Sequence, residues 1–459
     1  MIYYKIPLSP INIFQDIKIE SQPNIPPVFI SQSICNYMND IKSKISCREK
    51  EWDFYKKYTN PYEYIHTVVP QKKKSVSKYK PISRSYFKML EMMSEFCLDY
   101  PADQTFQNMS YSSFFFADRM RTFHLAEGPG GFIEAICNKR DNPADEYYGM
   151  TIILDKNDDN VPAWHKTGHF LSQHPNVNLE YGLDGTGNLL HIDNFEYCVK
   201  KYGSSMDLIT ADGGFDFSKN FNMQEISITN LLWGQVCYAL CLQKMGGNFV
   251  LKIFDVFYRP TVDILYILSG FYEEVNICKL KTSRVGNSEK YVVCKKFRFS
   301  SCFSFYPKIY ESFLNIKSEW NEFSIADFLR IDEPRNSYIA TAVENGQNQP
   351  EYIWQILNFD IPRHFTKTIE EINAIFGQQQ IENIHYTISL IDKQPKQDKL
   401  DQLVKQNITK CVNWCIEHSV IYNNLVAVNM FGIVPSSSLK SNLDAIGVGD
   451  GMMRCDGVR

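Results

Sequence analysis

The stretch HLAEGPGGFIEAI, His124 to Ile136, decides the fold. An apolar segment ends in an acid, Glu127, turns through Gly128, Pro129, Gly130 and Gly131, and enters a helix at Phe132. Glycines let the backbone approach a ligand closely, and a helix N-terminus favours negative charge. In open α/β sheets, ligands bind beyond the carboxyl ends of the strands, where this turn sits. Three cofactor classes compete for it. A P-loop needs Gly-Lys-Ser/Thr after a longer glycine loop, and that is absent. A dinucleotide fingerprint would place a third glycine at position 133, where Ile133 stands. The remaining ligand is S-adenosylmethionine, and the plain alternative is a tight turn that holds no ligand.

Outward from the turn, strands and helices alternate. Phe123–Ala126 reads as the strand before it and Phe132–Lys139 as the helix after it. Tyr148–Leu154 and Asp207–Ala211 read as further strands. An amphipathic helix over Gln224–Met245 is expected to stop at Gly246-Gly247. Asn248–Phe254 follows as a buried strand, Val262–Leu268 as a helix, and Glu274–Leu280 with Lys290–Phe297 as a hairpin linked through Ser283–Ser288. Upstream, Ser83 predicts the N-cap of a helix to about Asp99, with Tyr86, Leu90, Met93 and Cys97 at helical spacing. This rhythm predicts an α/β fold: a Rossmann-like, mostly parallel sheet with an antiparallel edge hairpin and helices on both faces. After about residue 300 the rhythm gives way to a mainly helical region, including Ile369–Phe376 and Leu400–His418. Four regions result: an N-terminal extension with a basic segment (1–80), the α/β domain (81–300), the helical C-terminal region (301–434) and a Ser- and Gly-rich tail (435–459), expected to be flexible.

The 459 residues carry a formal net charge of −4, which does not mark a general nucleic-acid binder. A local basic face would suffice for RNA. Gln71–Lys80 (QKKKSVSKYK) is such a run, a solvated loop on the plain reading and a landing site for phosphates on the functional one. Thirteen cysteines without a repeating frame fit a reducing compartment. The opening MIYYKIPLSP lacks a charged segment followed by an apolar stretch, and no apolar run is long enough to span a bilayer. The expectation is a soluble intracellular protein with no membrane partner. Cys411, Cys415 and His418 offer zinc-type ligands without a fourth at a recognisable spacing, so no metal is expected. Cys411 with Cys415, and Cys237 with Cys241, are expected to pack on helix faces.

Other strand ends carry polar residues that packing does not require. Asp212 closes DLITADGG, where an apolar strand meets two glycines. Lys252 lies inside NFVLKIF, where a lysine is costly to bury unless paired or functional. Glu289 opens the last strand in SRVGNSEKYVVC, and Lys88 sits on the helix of SRSYFKML. Each alone has an ordinary reading as a cap, an ion pair or a snorkelling lysine. Together they suggest two amines and two carboxylates converging at the carboxyl edge of the sheet.

The segments LAEGPGGF, TADGGF, GGNFVLKIFD and SRVGNSEKYVV, in this order, resemble the FtsJ-like (RrmJ-like) RNA 2′-O-methyltransferases over about residues 80–300. They look most like the cap-specific enzymes of eukaryotes and large DNA viruses, and SRSYFKM resembles the segment with that family's first lysine. The resemblance implies a Lys-Asp-Lys-Glu tetrad at Lys88, Asp212, Lys252 and Glu289. It implies S-adenosylmethionine held by Glu127, Gly128, Pro129, Gly130, Gly131, Phe132 and Asp212. Many relatives have Cys or Asp where Glu127 stands. Asp155, in TIILDKND, is a candidate for the cofactor ribose and Asp184, in YGLDGTGN, for the adenine; both also suit turns or caps. Lys252 would be the base, helped by a pKa lowered through burial or a nearby cation. Lys88 would orient it, and Asp212 and Glu289 would hold the lysines and contact the ribose. The implied substrate is capped mRNA, with ribosomal or transfer RNA, or RNA binding without catalysis, as alternatives. Capping or transcription proteins are candidate partners for the C-terminal region; if viral, the chain would act in host cytoplasm or virion.

Overall fold

Eight strands form one mixed sheet, and the glycine turn leaves a central one. The computed structural model describes residues 1–101, 119–153, 163–214, 221–316 and 351–423. In chain order, β1 (Ile2–Lys5), β2 (Ile17–Gln22), α1 (Gln32–Ser46) and α2 (Glu49–Thr59) precede α3 (Ser85–Phe96). The core then runs β3 (Arg121–Leu125), α4 (Gly131–Arg140), β4 (Glu146–Met150), α5 (Gly168–Gln173), β5 (Val177–Glu180), α6 (Ile192–Tyr202) and β6 (Met206–Ala211). It continues through α7 (Gln224–Ser227), α8 (Thr229–Leu242), β7 (Gln243–Ile253), α9 (Arg259–Phe271), β8 (Tyr272–Lys279) and β9 (Lys290–Phe297). The elements that follow are α10 (Tyr306–Leu314), β10 (Tyr352–Leu357), α11 (Arg363–Lys393) and α12 (Gln397–Glu417).

The strand order is β1-β8-β9-β7-β6-β3-β4-β5. β5, β4, β3, β6 and β7 are parallel neighbours, while β9 runs antiparallel to both β7 and β8. This is the α/β sheet that the sequence predicts. Alternate residues face two apolar layers: Ile209, Leu251 and Val292 face one, Leu208, Val250 and Val293 the other. Helices cover both faces, which is why these strands read as continuous apolar runs. The expected antiparallel hairpin is β8–β9, and one further antiparallel strand lies beyond it. β1 pairs antiparallel with β8, from Ile2↔Lys279 to Lys5↔Asn276, and covers a ladder that would otherwise be open.

Two helix boundaries also differ. The helix expected over Gln224–Met245 is two helices, and the chain is already extended at Gln243. There the Gln243 amide donates to the carbonyls of Met206 (2.8 Å) and Asp207 (3.3 Å), which pins the chain to β6. Gly246-Gly247 therefore lies within β7, where the register shifts against β6, and is no helix stop. The helix expected from Ser83 starts at Ser85, because the Ser83 hydroxyl accepts the Ser85 N–H at 3.1 Å. β4 ends at Met150, and Leu154 lies outside the described residues, as does the tail 435–459.

Among its described residues the C-terminal region is mainly helical, with one strand, β10, paired antiparallel to β2. Phe365, Ile369 and Phe376 of α11 join one apolar layer, while Leu400, Val404 and Trp414 of α12 join the other. Cys411 and Cys415 pack in the second layer, Cys237 and Cys241 in the first. Both flanks of the chain thus meet on the sheet. Asn383 of α11 and Asn407 of α12 donate to the carbonyls of Thr59 and Tyr58 of α2, each at 2.9 Å. Among the described residues, no helix is long and apolar enough to cross a membrane.

Candidate active site

The topology brings the carboxyl ends of β6 and β7 to the start of β9. Asp212 follows β6, Lys252 is the penultimate residue of β7, and Glu289 immediately precedes β9. Lys88 enters from α3. The four residues form two ion pairs. The Lys88 Nζ donates to Glu289 Oε2 at 2.7 Å. The Lys252 Nζ donates to the Asp212 carbonyl at 2.6 Å and lies 3.3 Å from Asp212 Oδ1. Gly214 leaves room for this amine, since a Cβ there would stand 3.0 Å from the Lys252 Nζ.

Tyr291 joins the two pairs. It lies opposite Lys252 in the β7–β9 register, donates to Asp212 Oδ1 at 2.7 Å, and accepts from the Lys88 Nζ at 3.4 Å. Ser283 donates to the second Glu289 oxygen at 2.6 Å. Sequence reasoning passed over both residues. Tyr291 stands two residues after Glu289, but an aromatic at that place in β9 is also what strand packing alone would put there.

Burial governs the charges here. It pulls the Lys88 amine below its ordinary pKa, against the charges of Glu289 and Asp212 and with help from Arg84 and Lys252. Burial alone would push the Glu289 carboxyl up. The charges of Lys88 and then Lys252 outweigh it and hold that group well below the usual carboxylate range. The phenol of Tyr291 is pushed up by burial, then by Asp212 and Glu289.

The glycine turn abuts this cluster. Glu127 Oε1 accepts the N–H groups of Phe132 (2.7 Å) and Ile133 (3.2 Å), so it caps α4. Burial, then the charge of Asp212, raises its pKa to about 8. The Gly128–Pro129 peptide is cis, and the Pro129 carbonyl accepts from Thr167 at 3.1 Å. Gly130 has φ 108°, a left-handed conformation that glycine adopts without strain. At Gly131 a Cβ would meet the Ser85 and Ser83 hydroxyls at 2.1 and 2.6 Å, so only glycine lets α3 lie this close to α4. The ring of Phe132 is buried, 6.1 Å from that of Tyr291.

Asp184 stands apart from the tetrad, in the loop after β5. Its Oδ1 accepts from the Thr186 N–H and hydroxyl (both 2.8 Å) and from Asn194 (2.9 Å), and His191 takes Oδ2. Ile153 donates to the Thr186 carbonyl at 2.8 Å, which ties this loop to the segment leaving β4. All of the contacts to the Asp184 carboxylate serve the turn itself. Asp155 lies outside the described residues.

A glycine turn at the carboxyl end of a central parallel strand, with a charged cluster on the neighbouring strand ends, marks the candidate site of this Rossmann-like sheet. Residues 81–297 match the model of the FtsJ-like methyltransferase family. The chain is similar to cap-specific mRNA (nucleoside-2′-O-)-methyltransferase 1 of Caenorhabditis elegans, 27% identical over 336 residues that cover 70% of this chain and 34% of that one. It is similar to the corresponding methyltransferase 2 of Drosophila melanogaster, 31% identical over 188 residues (39% and 27% of the two chains). Methyltransferase 1 of Leishmania braziliensis is 35% identical over 188 residues (39% and 45%). The chain thus spans less than half the length of each of these relatives.

Proposed function

We propose that this protein transfers a methyl group from S-adenosylmethionine to a ribose 2′-hydroxyl of capped mRNA, at a cap-proximal nucleotide. The observation that carries the reading is the pair of lysine–carboxylate contacts bridged by Tyr291 beside the glycine turn. Its fit to S-adenosylmethionine rests on the buried carboxyl of Glu127. A carboxyl held up at about 8 by burial and by Asp212 gains most from a cation placed beside it. Glu127, the turn Gly128–Gly131, and Asp212 would hold the donor, which supplies a methyl group already electrophilic on its sulfonium.

The remaining work falls to side chains. Lys252 is the base that takes the 2′-hydroxyl proton. An amine that takes up a proton offers two N–H donors and one lone pair. Asp212 occupies both donor directions through its carbonyl and Oδ1, leaving the lone pair for the hydroxyl. Lys88, held by Glu289 and Tyr291, is the fixed neighbouring cation that orients the ribose. The names of the relatives support the 2′-oxygen and the cap.

The experiment is mass mapping of the product formed on a short capped RNA and on the same RNA without a cap. The reading requires a methyl group on a 2′-oxygen next to the cap and none on the uncapped strand. Methylation of a base would sink the chemistry. Equal 2′-O-methylation of both strands would keep the chemistry and remove the cap.

A further inference from the structure

We propose that the basic segment Lys72–Lys80 is a track for the RNA phosphodiester backbone, leading the strand from outside the domain to the tetrad. The inference rests on the reading of the domain as an RNA methyltransferase. From Tyr64 to Leu90 the chain holds seven lysines and arginines and no aspartate or glutamate, in a protein whose net charge is −4. Five of the seven are Lys72, Lys73, Lys74, Lys78 and Lys80, and all but the half-buried Lys72 are exposed. No carboxylate among the described residues pairs with any of the five. Other exposed lysines of the chain do have such partners, as Lys5 has Glu274 and Lys296 has Glu273.

The segment is held to the fold by its backbone and by its uncharged residues, so its lysines are left to solvent. Val76 and Ser77 donate to the carbonyls of Tyr64 (2.8 Å) and Ile65 (3.0 Å), and Lys78 donates to that of Ile421 at 2.8 Å. From there the chain climbs α4 toward the glycine turn. The Tyr79 hydroxyl meets Asn138 and Glu134, the Ile82 N–H meets Glu134, and Ser83 and Ser85 lie against Gly131. Glu134, the acid in its path, is thereby occupied by Tyr79 and Ile82. The next turn of chain carries Lys88. Anchored lysines without partners, in a line that ends at the reacting group, suit a polyanion that must be threaded in one direction. Contacts to phosphates position a strand without reading its sequence.

The test compares the wild-type chain with a variant in which the five lysines are glutamine. Binding of a capped oligoribonucleotide that extends well past the site, and of its uncapped twin, is followed against salt. Methyl transfer is measured on that RNA and on the cap dinucleotide. The magnitude of the slope of log affinity against log salt should fall by about 0.7 for each phosphate no longer neutralised, about 3.5 if all five lysines engage. Affinity for both long RNAs should drop at least tenfold at low salt, with transfer to the dinucleotide unchanged. An unchanged slope overturns the track, as does an equal loss on long RNA and dinucleotide. Loss of binding to polyglutamate with RNA binding intact also overturns it, and assigns the lysines to an acidic protein. Failure of the wild type to methylate either substrate, with its RNA binding and slope as expected, would defeat the methyltransferase reading and leave the track standing.

Discussion

At Lys252 the geometry separates two tasks that one amine is often given. The contacts to Asp212 fix where the nitrogen stands, and in the proposed reaction proton transfer would use what those contacts leave over. Lys252→Ala should therefore cut transfer by about 10²–10⁴-fold, the usual weight of a general base. S-adenosylmethionine affinity, read by calorimetry, should stay within a few-fold. A loss of cofactor binding as large as the loss of rate would place Lys252 in the cofactor site instead. Glu127 offers a second prediction at this scale. Its folded pKa, about 8, lies above its ordinary 4.5, so the native state holds the proton more tightly than the unfolded chain. The stability it contributes is whole below about pH 4.5, declines as pH rises, and is gone past about pH 8. Glu127→Gln should lose less stability than the wild type between pH 5 and 8, by at most about 1.4 kcal/mol per unit. Glu225, also raised to about 8 by burial, is present in both proteins and cancels in the difference. Denaturant titrations at several pH values check the slope.

Elements decide how near the residues come. α3 and α4 touch where Gly131 meets Ser83 and Ser85, and that contact sets Lys88 relative to the turn. Gly131→Ala should force the helices apart, cost about 1–3 kcal/mol as overpacking does, and weaken cofactor binding, all measurable by melting with and without S-adenosylmethionine. A melting point unchanged from the wild type would show that the two serines simply turn away. Asp212 and Lys252 were legible because each breaks a local rule, an acid before two glycines and a lysine in an apolar strand, whereas Lys88 and Glu289 joined them through the resemblance. Tyr291 was not, because an aromatic in a strand is what packing alone would place there. The break at Gln243 was hidden for a related reason. The apolar run of α8 continues into β7 without a polar interval, and the long-range bond of the Gln243 amide decides where helix ends and strand begins. The partner of β8 was equally out of reach, since β1 comes from the N-terminal extension, far from β8 in sequence.

On the scale of the whole molecule, the flanks of the chain close on the end of β7. Asp255, three residues after Lys252, receives Lys42 of α1 at 2.7 Å and Lys290 of β9 at 3.4 Å, all three buried. Asn373 of α11 donates to the Val256 carbonyl at 2.6 Å. Burial works against the Asp255 charge, but Lys42 and then Lys290 outweigh it and hold the carboxyl at about 2. Its stabilisation is therefore present above about pH 3.8 and is lost as pH falls through about 2. Asp255→Asn leaves two buried amines without their counter-charge and should cost about 3–5 kcal/mol at neutral pH, read by chemical denaturation. Near pH 2 the gap between variant and wild type should close. A neutral-pH loss below about 1 kcal/mol would mean that the lysines find other partners.

The Lys252↔Tyr291 register of β7 and β9 has a consequence for quality control. Side chains alternate along a strand, so a slip of one residue in that pairing would turn Tyr291 away from the site. The same slip would move Val292 and Val293 to the wrong apolar layers. Misalignment would therefore remove the bridge and the core packing at a stroke, so that a mispaired chain is inert before it is visibly unfolded. On the proposed function, turnover would serve as an assay of strand alignment, more sensitive than any measure of helix content.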